Sequence, residues 1–189
     1  MFLMEEDIAF AVEALKKGDI ILYPTDTVWG IGCDATNASA VSKVYALKQR
    51  ADTKAMIVLV PEEQWILNYV AEPKPKVADY IKGITKPTTV IYESAKNLAP
   101  NLIAADGTIA IRICKANFAQ QLMKAFGKPI VSTSANISGL PTPLCFKDIS
   151  LDIIDGVDYV VRSEQEDTLL KQPSAIVKWE KDQLIVIRP

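Results

Sequence analysis

Asn117-Phe118-Ala119-Gln120-Gln121-Leu122-Met123-Lys124-Ala125-Phe126-Gly127-Lys128-Pro129-Ile130-Val131-Ser132-Thr133-Ser134-Ala135-Asn136 holds a helix, its stop, a buried strand and a polar wall in twenty residues. Leu122, Met123 and Phe126 recur at helical spacing behind Asn117 as a cap, and Gly127 is the residue on which such a helix ends. Pro129–Val131 then reads as a strand. Ser132–Asn136 places four hydroxyl or amide side chains in five residues directly after it. A strand that delivers so many neutral donors to its C-terminal end is suited to grip an anion. The alternative is an ordinary polar loop.

The helix-to-strand alternation continues in both directions. Upstream, Glu5–Lys17 is helical and closed by Gly18, and Asp19–Tyr23 is a short buried strand ending at Pro24. Asn37 or Ser39 caps a helix bearing Val41, Val44, Ala46 and Leu47. Met56–Val60 is a strand stopped by Pro61. A helical pattern starts at Glu62, is broken by Pro73 and Pro75, and resumes over Val77–Lys82. Thr88–Tyr92 and Thr108–Ile113 are strands joined by a polar loop. Downstream come a short helix over Asp148–Ile154 and strands at Val157–Val161, Ala175–Trp179 and Leu184–Ile187. This pattern predicts an α/β fold in one domain over residues 1–189. Its sheet is twisted and mixed parallel/antiparallel, covered by helices, with the antiparallel part in the late run of strands.

Composition removes several chemistries. With 189 residues, 49% of them apolar, the chain buries one sizeable core. A net charge of −2 provides no global basic field for nucleic acid, so a phosphate site has to be a local cluster of Lys and Arg. Three scattered cysteines, Cys33, Cys114 and Cys145, form neither a disulfide framework nor a thiolate metal site. No leader pattern opens the chain and no apolar run approaches a membrane span, so a cytoplasmic protein without membrane contact is expected. The absence of histidine removes Ser-His-Asp and Cys-His catalysis, His-ligated zinc and imidazole acid/base chemistry. Any reaction must then run on charge and positioning, with or without an oxygen-ligated cation.

Four groups of residues carry candidate chemistry. Tyr23-Pro24-Thr25-Asp26-Thr27 brings two hydroxyls and a carboxylate to the C-terminal edge of a buried strand, where open α/β sheets bind ligands. The alternative is a turn in which Asp26 bonds its own backbone. Gly30-Ile31-Gly32-Cys33-Asp34-Ala35 spells a dinucleotide fingerprint, but without a strand directly before it and a helix directly after it. Lys48-Gln49-Arg50, followed by Lys54, is either a solvated helix end or a set of cations converging on a polyphosphate. Arg112 shares a strand face with Thr108 and Ala110, opposite Ile109, Ile111 and Ile113. It points either to solvent or into a polar cavity, where it would clamp a carboxylate or phosphate. Neither Ser132 nor Ser134 has a base beside it, so both are read as hydrogen-bond donors rather than nucleophiles. No Walker A, HExxH, GxSxG or kinase signature occurs. A nucleotide-handling site of a less common kind is the expectation.

Taken in order, Tyr-Pro-Thr-Asp-Thr, Lys-x-Arg, the Arg112 strand and Ser-x-Ser-Ala-Asn resemble the YrdC/Sua5 family from about Ile8 to the C-terminus, in its short single-domain form. The resemblance implies a YrdC-like sheet around a central cationic cavity. It also implies synthesis of threonylcarbamoyl-AMP from L-threonine, bicarbonate or CO2, and ATP, the first step of a tRNA modification. By resemblance, Thr27, Arg112, Ser134 and Ser174 would contact threonine. Lys48, Arg50, Lys54, Thr108, Asn136, Thr142 and Arg188 would line the ATP side, with Lys48 and Arg50 catalytic through their charge. Mg²⁺ would arrive with ATP, and no metal would be held by the protein itself. Downstream tRNA threonylcarbamoyl-transferase proteins would be partners. Three departures stand out. Ala55-Met56 replaces the family's Pro-Leu, no histidine follows Leu59, and Lys86-Pro87-Thr88-Thr89 replaces Pro-Gly-Pro-Leu-Thr.

Two other functions fit the resemblance. One is a non-catalytic module binding double-stranded RNA or tRNA, against which the net negative charge and the lack of an RRM, KH or Arg-rich pattern weigh. The other is an adenylating enzyme with a different carbamoyl acceptor, as in hydrogenase-maturation proteins, whose zinc-finger and acylphosphatase-like segments have no counterpart here.

Overall fold

Gly127 adopts φ +77° at the end of its helix, the left-handed backbone for which a glycine was expected there. The computed structural model describes residues 2–49, 56–167, 172–181 and 183–189. Six α-helices occur among them: α1 (Phe2–Lys17), α2 (Ala38–Leu47), α3 (Ile66–Tyr69), α4 (Pro75–Lys82), α5 (Asn117–Phe126) and α6 (Leu151–Ile154). The strands are β1 (Ile21–Tyr23), β2 (Gly30–Gly32), β3 (Ile57–Val60), β4 (Thr88–Tyr92), β5 (Ile109–Ile113), β6 (Ile130–Ser134), β7 (Tyr159–Val160), β8 (Ala175–Glu180) and β9 (Gln183–Arg188).

The strands form one sheet in the order β7-β1-β2-β6-β3-β5-β4-β8-β9. Pairs β1/β7, β3/β5 and β4/β8 are parallel, and the other five are antiparallel. The mixed sheet is as expected. Its antiparallel pairs, however, run throughout, and β8/β9 is the one such pair within the late strand run. Helix α5 buries Phe118, Ala119, Leu122, Met123 and Phe126 and packs against α1. Asn37 caps α2, its Oδ1 accepting from the Ser39 and Ala40 amides. Asn117 is not a cap. Ala116 holds that position, and Asn117 begins α5 and accepts from Gln121 Nε2. The short helix expected over 148–154 is a 3-10 turn, Phe146–Asp148, followed by α6.

Two differences shape the site. Strand β2 was not expected, because glycine-rich segments have poor strand propensity. A Cβ at Gly32 would lie 2.5 Å from Tyr23 Cε1 and 2.6 Å from the Val131 carbonyl, so close packing selects glycine there and the backbone pairs on both sides. This also removes the dinucleotide motif, since Gly30 and Gly32 lie within a strand. Strand β6 runs through Ser134, three residues beyond its expected end, so Ser132, Thr133 and Ser134 belong to the sheet rather than to a loop.

One buried carboxylate locks α1 to the segment after β7. Asp7 accepts from Ser163 N (2.7 Å) and Oγ (2.6 Å), from Arg162 Nε (3.0 Å) and from the Tyr159 hydroxyl (2.6 Å). Burial works to raise its pKa, but these bonds outweigh burial and hold it below the usual carboxylate value.

Candidate active site

Residues 24–29 form the loop of the β1–β2 hairpin, and the pairing of Gly30 with Ser134 lays the end of β6 beside it. The Tyr-Pro-Thr-Asp-Thr and Ser-x-Ser motifs, more than a hundred residues apart, thus meet at the ends of neighbouring strands. Strand β5 contributes Arg112, registered between Leu59 of β3 and Thr89 of β4. The segment entering β8 adds Ser174, and β9 adds Arg188. Together they enclose a cavity of about 200 Å³ lined by Thr27, Arg112, Ser134, Thr142, Ser174 and Arg188 from the expected set.

The hairpin loop is closed by its own hydroxyl. Thr25 Oγ1 donates to the Val28 carbonyl at 2.8 Å and accepts from the Thr27 amide at 3.0 Å. This holds Thr27 Oγ1 where Arg112 Nη2 donates to it at 3.2 Å. Asp26 does not bond its own backbone. Its carboxylate pairs with Arg112 Nη2 at 3.1 Å and accepts from Cys114 Sγ and the Lys115 amide, fastening the loop to the end of β5.

Arg112 is 3% exposed, and its alternation with Ile109 and Ile111 directs it to the cavity rather than to solvent. Its Nε–H is buried without a hydrogen-bond partner among the described residues. Leaving such a donor unpaired costs about 1–3 kcal/mol, a cost that a bound anion removes. Arg188 donates through Nε to the Ser174 carbonyl at 2.9 Å. Burial, and then the like charge of Arg112, lowers its pKa from the usual guanidinium value. Two arginines thus bear on one cavity, an arrangement favourable to an anionic ligand. Ser174 Oγ shares a 2.8 Å hydrogen bond with Thr89 Oγ1. Ser134 Oγ donates to Asn136 Oδ1 at 2.5 Å, while Asn136 Nδ2 donates to the carbonyls of Ile137 and Leu140.

Three expected residues stand apart from the cavity lining. Lys48 is buried, and its ammonium donates to the Ser134 and Asn136 carbonyls, the latter at 2.6 Å. It anchors the 134–138 loop from beneath, and its own carbonyl accepts from the Ser138 amide. Asn136 braces that loop and orients Ser134. Thr108 lies before β5, at the end opposite Arg112, and closes a local turn by donating to Asp106 at 2.7 Å. Arg50 and Lys54 lie outside the described residues.

The sequence did not single out Thr89 or Trp29. Thr89 is fully buried and holds the Ser174 hydroxyl. Period-two alternation separates it from Thr88 in the pleat, but only the pairing of β4 with β8 shows what it faces. Trp29 lines the cavity and packs at a tilt on Phe146, with ring centroids 4.9 Å apart. An aromatic residue between Val28 and Gly30 was the available signal.

A family model covering Sua5, YciO and YrdC proteins, described as "Telomere recombination", matches residues 13–189. The threonylcarbamoyl-AMP synthase of Pseudoalteromonas translucida is 36% identical over 160 residues, spanning 83% of this chain and 86% of that protein. The enzyme of the same name from Photobacterium profundum is 37% identical over 142 residues, spanning 72% of this chain and 75% of that protein. Among solved structures, P. abyssi Sua5 complexed with L-threonine superposes with a TM-score of 0.86 at 20% identity, over 96% of this chain and 53% of that one. E. coli YciO superposes with a TM-score of 0.81 at 25% identity, over 96% of this chain and 87% of that one. The likeness to Sua5, at that identity, is one of fold.

Proposed function

The chain belongs to the Sua5/YciO/YrdC family, and on that premise we propose that it is a threonylcarbamoyl-AMP synthase. It joins L-threonine, bicarbonate or CO2, and ATP into threonylcarbamoyl-AMP and releases pyrophosphate. The observation that carries this reading is the buried, partly unsatisfied Arg112 guanidinium, facing the same cavity as Thr27, Ser134, Ser174 and Arg188.

Arg112 clamps the threonine carboxylate, with Thr27 held against it and the Ser134 and Ser174 hydroxyls offering further bonds. Arg188 and Thr142 flank the ATP side, and by the family resemblance Arg50 and Lys54, outside the described residues, would serve it as well. Lys48 and Asn136 shape the loop that carries Ser134, instead of touching the phosphates. Threonine's amine and CO2 form a carbamate, already an anionic nucleophile. It attacks the α-phosphorus as the α–β bridging oxygen leaves with pyrophosphate. The step needs no histidine, and none is present. It needs no thiolate either. Burial pushes Cys114 up to about 12 and Cys33 higher still. Catalysis then comes from placing two anions side by side and neutralising charge that builds on the phosphates.

Mg²⁺ enters as part of the ATP substrate. No cluster of three or more His, Cys, Asp or Glu suited to a metal occurs among the described residues, and Asp26 is committed to Arg112. The product, a mixed anhydride, calls for a transferase that passes its acyl group to tRNA. A cytoplasmic setting follows from that role. Among the described residues no helix is long and apolar enough to cross a membrane.

The test is pyrophosphate release by the folded protein with Mg²⁺ and ATP, with and without threonine and bicarbonate, alongside mass detection of the adenylate. Release that requires both co-substrates and yields threonylcarbamoyl-AMP is expected. Salt-dependent RNA binding with no threonine-dependent release would give precedence to the RNA-binding alternative, and turnover with carbamoyl phosphate in place of threonine to the altered-acceptor one.

A further inference from the structure

One hydroxyl on the cavity face of the sheet never reaches the cavity. Thr89 of β4 pairs directly opposite Arg112 of β5 and beside Ile176 of β8, and neighbours so registered share a face. Arg112, Ile176 and Ser174 line the cavity, whereas Thr89 is fully buried and forms no part of its wall. Valine has the same shape and suits a strand as well, so packing alone gives no reason for an oxygen here. A buried hydroxyl is costly unless it is hydrogen-bonded. The partner of this one is the Ser174 hydroxyl, at 2.8 Å.

Two hydroxyls in contact hold two protons, and the contact consumes one. Neither side-chain oxygen has another hydrogen-bond partner among the described residues. Were Ser174 the donor, the Thr89 proton would be left inside the protein as an unsatisfied donor. With Thr89 as the donor, the spare proton belongs to Ser174, at the cavity wall, where a ligand oxygen can accept it. The Arg112 Nε–H, unpartnered among the described residues, is a second spare donor on the same cavity. Ser174 is also held at its carbonyl, which accepts from Arg188 Nε at 2.9 Å.

We propose that Thr89 is a positioning residue for the amino-acid substrate. By donating to Ser174 Oγ, it turns the Ser174 proton into the cavity and makes Ser174 a donor to the substrate carboxylate, alongside the Arg112 clamp. The role rests on the synthase reading given above. Thr89 touches no substrate and acts only through Ser174. Each donor in the chain from Thr89 to Ser174 to carboxylate polarises the next, so removing the first weakens the last. It also frees the Ser174 side chain to rotate away.

The test is a double-mutant cycle read in threonine-dependent pyrophosphate release, with melting temperatures taken in parallel. Thr89→Val should raise the KM for threonine about fivefold, while kcat and the KM for ATP change less than about twofold. Thr89→Ser keeps the hydroxyl and should stay within about twofold of the unsubstituted protein in all three. Ser174→Ala should raise the KM for threonine about tenfold, and adding Thr89→Val to it should change that KM by less than about twofold. A merely structural Thr89 would give the same increment in both backgrounds. An additive cycle, a KM for ATP that rises as much as that for threonine, or a Thr89→Ser variant as impaired as Thr89→Val would each overturn the role alone. Absence of threonine-dependent release from the unsubstituted protein would overturn the synthase reading, and this role with it.

Discussion

The two arginines that face the cavity are held in opposite ways. Arg112 comes from β5 in the interior of the sheet, is 3% exposed, and is tied to Asp26 and Thr27. Arg188 comes from the edge strand, is more exposed, and is held through one carbonyl of Ser174. The first is positioned before any ligand arrives. The second can shift with what it meets. A rigid cation suits a small substrate that must be read closely, such as an amino acid carboxylate. An adaptable one suits a triphosphate whose charges move during reaction.

The largest effect should come from Arg112→Ala. It abolishes the clamp and leaves the mostly buried Asp26 carboxylate without its charge partner, a loss on the order of 3 kcal/mol in stability. Thermal melting should register that loss. Titrations should show threonine binding weakened far more than ATP binding, and equal losses for both would break the contrast. Asp26→Ala combined with Arg112→Ala should restore part of the stability and none of the threonine affinity, which separates folding from recognition.

Lys48→Met should come next. It leaves the carbonyls of Ser134 and Asn136 without their donor, costing roughly 1–3 kcal/mol. Activity should fall through displacement of Ser134, so the variant's KM for threonine should rise at least as much as that for ATP. A rise confined to ATP would show the ammonium acting on phosphate, as the sequence suggested. Arg188→Ala should be smallest in stability, within about 0.5 kcal/mol, as for exposed positions generally. Its KM for ATP should increase about tenfold, with that for threonine little changed. A melting temperature depressed as far as that of Arg112→Ala would mean that the edge arginine is structural after all.

How much of this was legible follows from what each residue answers to. Arg112 was legible because strand alternation is local: its isoleucine neighbours assign it to the other face. The strand carrying Ser132–Ser134 was found, but its end was set too early, because three polar residues look like a loop until their backbone partners on β2 and β3 are known. Strand β2 was missed for the same reason, since what selects Gly32 is the nearness of Tyr23 and Val131 rather than any propensity of its own. Lys48 looked like a helix-end cation, and its acceptors lie 86 and 88 residues away. Ser174 and Arg188 carried no pattern and came from family resemblance alone. Asp26 was legible as a functional or turn-closing residue, but its tie to Arg112 is a contact between distant strands.

Strand β9 closes the sheet, pairs with β8 alone, and has all six of its residues exposed. Leu184, Ile185, Val186 and Ile187 already stand substantially in water, so detaching the strand uncovers little new apolar surface. Such a segment opens at a free energy well below that of global unfolding and exchanges its amide protons ahead of the interior strands. With it goes Arg188. On the proposed reading, the arginine assigned to the nucleotide thus rides on an edge strand that opens ahead of the interior strands β3, β5 and β6.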